Sequence, residues 1–157
     1  MKNLPENATS FSATPLPYSI EVTANGYGFV TECGTRYELL FYRIHPDYPI
    51  YSFSIERQSS TYRADRRVEA TVLHVLRLFF EHDMNAIAFT CEIDDGRQYA
   101  RFRLFDKWYQ PHRKDFYREV YCKDVYYSSV IARRDNPLAN EMSKWFVGLM
   151  SEMIDNI

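Results

Sequence analysis

Asp94, Asp95, Gly96, Arg97 and Arg101 are the residues whose types and spacing come nearest to a binding chemistry. Carboxylates at a helix start accept its free N–H groups, and glycine permits a tight turn. Two arginines one helical turn apart present planar forks suited to a carboxylate or phosphate. The turn follows an apolar run from Ala86 to Cys91. A helix-period stretch follows it, with Ala100, Leu104 and Trp108 on one row and Phe102, Phe105 and Tyr109 beside it. In sheets flanked by helices, ligands tend to sit outside the carboxyl ends of strands, where helix N-termini offer free donors. Asp95, Gly96, Arg97, Arg101 and Trp108 are therefore candidate ligand-binding residues. The plainer account of the same residues is a capped helix whose basic face is solvated.

Other constellations point away from several chemistries. Arg97, Arg101, Arg103 and Lys107, beside Tyr99 and Trp108, form a basic flank that invites a phosphate or nucleic-acid reading. The formal net charge of -2 supplies no global field for such a polyanion, so nucleic acid is not an expected partner. His45, His74, His82 and His112 lie in separate elements without ligand spacing, and no metal is expected. Ser128 and Ser129 lack the glycine-flanked elbow of a nucleophilic serine. Cys33, Cys91 and Cys122 are odd in number and form no C-x-x-C pair, so they read as reduced core thiols rather than as a disulfide framework or zinc site. Phosphate loops and dinucleotide fingerprints have no counterpart in the chain.

These residues need a scaffold. With 157 residues, 46% of them hydrophobic, the chain has enough apolar surface for one ordinary core. The 13 Tyr and 11 Phe favour half-wet sheet faces. Tyr18 to Ala24 and Tyr27 to Glu32 flank Asn25-Gly26, which reads as a two-residue hairpin turn with positive φ. Arg36 to Ile44 and Ile50 to Arg57 complete an antiparallel meander. Helical spacing of Val68, Val72, Val75, Leu76, Phe79 and Phe80 then predicts a helix over Asp65 to His82, capped by Asp65. The Ala86 to Cys91 strand and a helix from Arg97 to Gln110, stopped by Pro111, come next. Strands Phe116 to Lys123 and Val125 to Arg133 meet near Asp124. Asn136-Pro137 caps a last helix striped with Leu138, Met142, Trp145, Phe146, Leu149, Met150 and Met153.

The expected fold class is α+β: a mostly antiparallel, twisted sheet of about seven strands with three helices. Residues 1–17, with Pro5, Pro15 and Pro17, read as a flexible leader, and 18–157 as a single domain. No apolar window reaches the ~20 residues of a membrane span, and the leader lacks the core of a signal peptide, so a cytoplasmic location is expected.

Strand, long helix, strand, shorter helix and two strands, over roughly Ile50 to Arg133, resembles the C-terminal order of the GCN5-related N-acetyltransferase fold. DDGRQYARFRLFDKW resembles that fold's strand-to-helix segment. The pieces D-x-R-V-x-x-T-V from Asp65, DGRQ-x-AR-x-RLFD-x-W from Asp95, YYSS from Tyr126 and the late Asn136-Pro137 resemble an uncharacterised family found mainly in Bacteroidetes bacteria. The acetyltransferase resemblance implies acetyl-coenzyme A held on the backbone of a glycine-containing loop, where a Cβ would block the phosphates. Here Tyr62 to Thr71 has no glycine, and Asp65 and Glu69 would face those phosphates. The tyrosine that serves as acid in that family falls on Phe105, which has no proton to give. Arg63, Arg66 and Arg67 are left as candidates to hold an anion.

The expectation is accordingly a non-catalytic, acetyltransferase-like binding or regulatory module, without cofactor, for a protein or small anionic ligand. An acyl-coenzyme A dependent N-acyltransferase with a degenerate loop is the alternative, and a nucleic-acid binder using the basic flank is the third reading.

Overall fold

The computed structural model describes residues 15–59, 63–91 and 95–155. The leader up to residue 14, Tyr62 and Asp94 lie outside them. In chain order the elements are β1 (Glu21–Thr23), β2 (Gly26–Val30), β3 (Arg36–Arg43), β4 (Ile50–Arg57), α1 (Arg66–Phe79), β5 (Ala86–Thr90), α2 (Gln98–Tyr109), β6 (Phe116–Lys123), β7 (Tyr126–Arg133) and α3 (Ala139–Asp155), with a 3-10 turn at Gln110–His112. The seven strands form one sheet in the order β1-β2-β3-β4-β5-β7-β6. Every neighbouring pair is antiparallel except β4 and β5, which the α1 crossover makes parallel. The fold is α+β, with three α-helices on a mostly antiparallel sheet.

Alternation along the strands divides the core in two. Ile87 of β5 and Ile131 of β7 face Val72 and Val75 of α1 and Phe105 and Trp108 of α2, together with Leu39 and Phe53. Their neighbours Ala86, Ala88, Val130 and Ala132 face the other way, onto Met142, Phe146 and Met150 of α3. The alanines let α3 approach the sheet closely. Each large side chain buried in this way contributes roughly 1.5–3 kcal/mol.

Local signals hold at the helix ends. Asp65 Oδ1 accepts from the Arg67 amide at 2.9 Å and caps α1. Asn136 Oδ1 accepts from the Leu138 amide at 2.9 Å and precedes α3.

Three local expectations are corrected. The first hairpin turns at Ala24 and Asn25, because Thr23 pairs with Gly26, and neither turn residue has positive φ. Gly26 belongs to β2, where a Cβ would lie 1.9 Å from the Leu39 carbonyl oxygen; close approach of β3, not turn geometry, requires the glycine. On α2 the inward residues are Phe102, Phe105, Trp108 and Tyr109, while Ala100 and Leu104 face solvent. Tyr127 stacks near Phe102 at 5.1 Å and Phe89 meets Phe105 at 4.5 Å, so the aromatic row wins the contact. Of the three cysteines only Cys91 is a core thiol; Cys33 and Cys122 are exposed.

Candidate functional site

Parallel pairing puts the carboxyl ends of β4 and β5 at the same end of the sheet, where α1 and α2 begin. The two arginine groups, distant in sequence, therefore share one end of the molecule. The β4–β5 ladder joins Ile50–Ser52 to Ala86–Ala88 and stops, although β4 runs on to Arg57 and β5 to Thr90. Two parallel strands that part before their ends, each followed by a helix, are the setting in which α/β sheets tend to hold ligands.

At the start of α2, Arg101 grips Asp95 with both ends of its fork, Nη1 to Oδ1 at 2.8 Å and Nη2 to Oδ2 at 2.5 Å. Asp95 Oδ1 also accepts from the Arg97 amide at 3.1 Å, so the carboxylate caps the first turn. Arg101 first, and that amide second, hold the Asp95 carboxyl down at about 2. Gly96 has φ +69, the left-handed region, with open space where a Cβ would stand. The Arg97 side chain makes no ion pair or hydrogen bond with another described residue. Of the expected pair, Arg101 is thus committed to Asp95, while Arg97 has no such partner among the described residues.

At the start of α1 the same division recurs. Asp65 is the cap and also accepts from the Tyr18 hydroxyl. The Arg67 guanidinium stacks 3.8 Å from the Tyr18 ring centre, and its Nε donates to the Leu16 carbonyl at 2.9 Å. Arg67 is a structural strap. Arg66 is exposed and without an ion pair or hydrogen bond from its side chain to another described residue, and Arg63 Nη1 reaches the Cys33 sulfur at 3.9 Å. Asp65 stands where an anionic phosphate would seek the amides of the first helical turn, which makes this helix start a poor pyrophosphate cradle.

Trp108 packs into the core with its ring 5.5 Å from Phe105 and edge-on to it. Within the basic flank, Arg103 lies over the Tyr99 ring at 5.8 Å. Burial pushes the Cys91 thiol up to about 11, so it is not a nucleophile at neutral pH. Among the described residues no group of His, Cys, Asp and Glu is arranged to hold a metal ion, and no helix is long and apolar enough to cross a membrane.

Sequence reasoning missed Arg118 of β6. Its side chain is 4% exposed; Nε donates to Ser129 Oγ at 3.2 Å and Nη1 to Asp106 Oδ1 at 2.5 Å. Alternation in the strand sequence FYREVYCK assigns a face to such an arginine, but not the acid on another element that makes its burial tolerable. It also missed a cleft at the opposite end of the sheet, lined by Arg77, Phe80, Lys114, Phe116 and Arg133, which come from three separate stretches of chain.

Residues 64–147, more than half of the 157-residue chain, match a family of unknown function (DUF6169), and the chain belongs to that family. The match takes in α1, β5, α2, β6, β7 and the first half of α3. No curated protein and no solved structure matches.

Proposed function

We propose that this member of the DUF6169 family is a non-catalytic, acetyltransferase-like binding or regulatory module whose ligand is a small anion, held at the strand-end face by Arg63, Arg66 and Arg97. The observation that carries this reading is the split among the arginines. Arg67 and Arg101 are bound into the fold, while Arg66 and Arg97, at the two helix starts that parallel β4 and β5 bring to one end, make no ion pair or hydrogen bond through their side chains with another described residue. Exposed arginines at one end of the sheet with no ion pair to another described residue favour an anion that would neutralise them. Against catalysis stand Phe105, whose ring packs on Phe89 and carries no proton, and Cys91, whose thiol stays protonated.

The element order over Ile50 to Arg133 and the parallel β4–β5 pair support the acetyltransferase-like part of the reading, and they support equally the alternative of an acyl-coenzyme A dependent N-acyltransferase. The aspartate cap of α1 favours the non-catalytic form. The Asp95–Arg101 pair and the Arg103–Tyr99 contact draw on the basic flank and disfavour the nucleic-acid reading.

Titration of the full chain with inorganic phosphate, followed by amide NMR, tests the proposal. The expected result is saturable movement of the Arg66, Gly96 and Arg97 signals, lost in the Arg66→Ala/Arg97→Ala variant with folding intact. Signals that do not move, or that move equally in the double variant, would contradict it.

A further inference from the structure

The cleft of about 450 Å³ at the far end of the sheet lies between the last turn of α1, the segment leading into β6 and the end of β7. Its floor is apolar: the rings of Phe80 and Phe116 meet edge to face with centres 4.9 Å apart. Its walls are basic. Arg133 is already neutralised, with Nε and Nη2 on the Asp135 carboxylate at 2.9 and 2.7 Å and Nη1 on the Phe80 carbonyl at 3.5 Å. That fork fixes one wall. Arg134 Nε donates to the Arg113 carbonyl at 2.8 Å, which orients its charge without cancelling it. Arg77 and Lys114 are exposed, line the cleft from opposite sides of the sequence, and make no ion pair or hydrogen bond with another described residue. Glu81 and Asp115 are the remaining acids of the lining. With Arg133 and Asp135 cancelling, three cations face two carboxylates.

We propose that this cleft is a second binding site, independent of the strand-end face, for a small ligand with a flat apolar body and one anionic group of the carboxylate class. The body lies on Phe80 and Phe116, and the anion sits between Arg77 and Lys114. The volume falls within the range of roughly 300–1,000 Å³ that holds such molecules. An apolar floor strengthens the attraction of the charges above it by keeping water from one side. The single net positive charge sets the ligand's charge, because Glu81 and Asp115 would repel a polyanion that filled the cleft.

The test is an amide NMR titration of the full chain with 2-naphthoate, with 2-naphthylmethylamine and inorganic phosphate as comparisons. Saturable shifts at Arg77, Phe80, Lys114 and Phe116 are expected, with 2-naphthoate bound at least about tenfold more tightly than the amine or phosphate. The Arg77→Ala/Lys114→Ala variant, altered only at exposed side chains, should weaken 2-naphthoate about tenfold or more while the other amide signals stay in place. Equal binding of the amine would overturn the anionic requirement, and equal binding of phosphate would overturn the flat body. An absence of saturable shifts, or an unaltered affinity in the double variant, would overturn the site. Shifts confined to Arg66, Gly96 and Arg97 would overturn it too, while leaving the strand-end reading standing.

Discussion

Arg118 and Asp106 form an ion pair at 2.5 Å across the α2–β6 contact, with the arginine 4% exposed and the aspartate 44%. The guanidinium also lies 5.1 Å from the Phe102 ring and 5.3 Å from the Tyr109 ring, so α2 is held over the sheet by one cation between two aromatic faces. Removing only the acid leaves a buried charge uncompensated. Asp106→Ala is expected to lower stability by about 1–3 kcal/mol, and adding Arg118→Met to recover part of that loss. Urea unfolding of the three proteins checks this; a double variant less stable than Asp106→Ala would contradict it.

Asp95 makes its pH dependence readable. Its carboxyl is held at about 2, below the ordinary 3.8, chiefly by Arg101. The folded protein therefore binds this proton less readily than the unfolded chain. The pair's contribution is complete above about pH 3.8 and is lost as pH falls through about 2. Carboxyl-carbon NMR should give a midpoint near 2 for Asp95 and one nearer 3.8 in Arg101→Ala. The same midpoint in both proteins would show that Arg101 is not the cause.

Asp65 serves two partners at once, the Arg67 amide and the Tyr18 hydroxyl. Asp65→Ala should cost about 1–3 kcal/mol through loss of the cap and of the phenol's acceptor. Tyr18→Phe removes one of the same bonds, at about 1 kcal/mol. The double variant should cost less than the two changes added together, by about 0.5 kcal/mol or more, because both remove a shared interaction. Strict additivity in thermal unfolding would mean that the Tyr18–Asp65 bond contributes nothing.

What the sequence made legible follows from the range of each signal. Val72 and Val75 on α1, and Met142, Phe146 and Met150 on α3, announce their faces through helical spacing, and those faces are buried. Asp65 and Asn136 announce their caps because capping acts over two or three residues. Gly26 misleads because the same residue type serves a tight turn and a close strand approach, and only the partner, Leu39, distinguishes them. On α2, Leu104 and Phe105 are equally apolar neighbours. The choice of inward row rests with Phe89 and Tyr127 on other strands. The arginines at the two helix starts were identifiable singly, but spacing does not say that Arg101 takes Asp95 or that Arg67 stacks on Tyr18. Arg77, Lys114 and Arg133 meet only through the sheet order, to which local spacing is blind.

The aspartate-capped, glycine-free start of α1 is the ground on which we propose a module for small anions rather than a coenzyme A enzyme. Thermal unfolding of the full chain with millimolar acetyl-coenzyme A tests that most directly, since a ligand at about 100 times its dissociation constant adds about 2.7 kcal/mol of stability. The melting temperature is expected to stay unchanged with acetyl-coenzyme A. A saturable rise that disappears with the dephosphorylated, pantetheine-only analogue would contradict it.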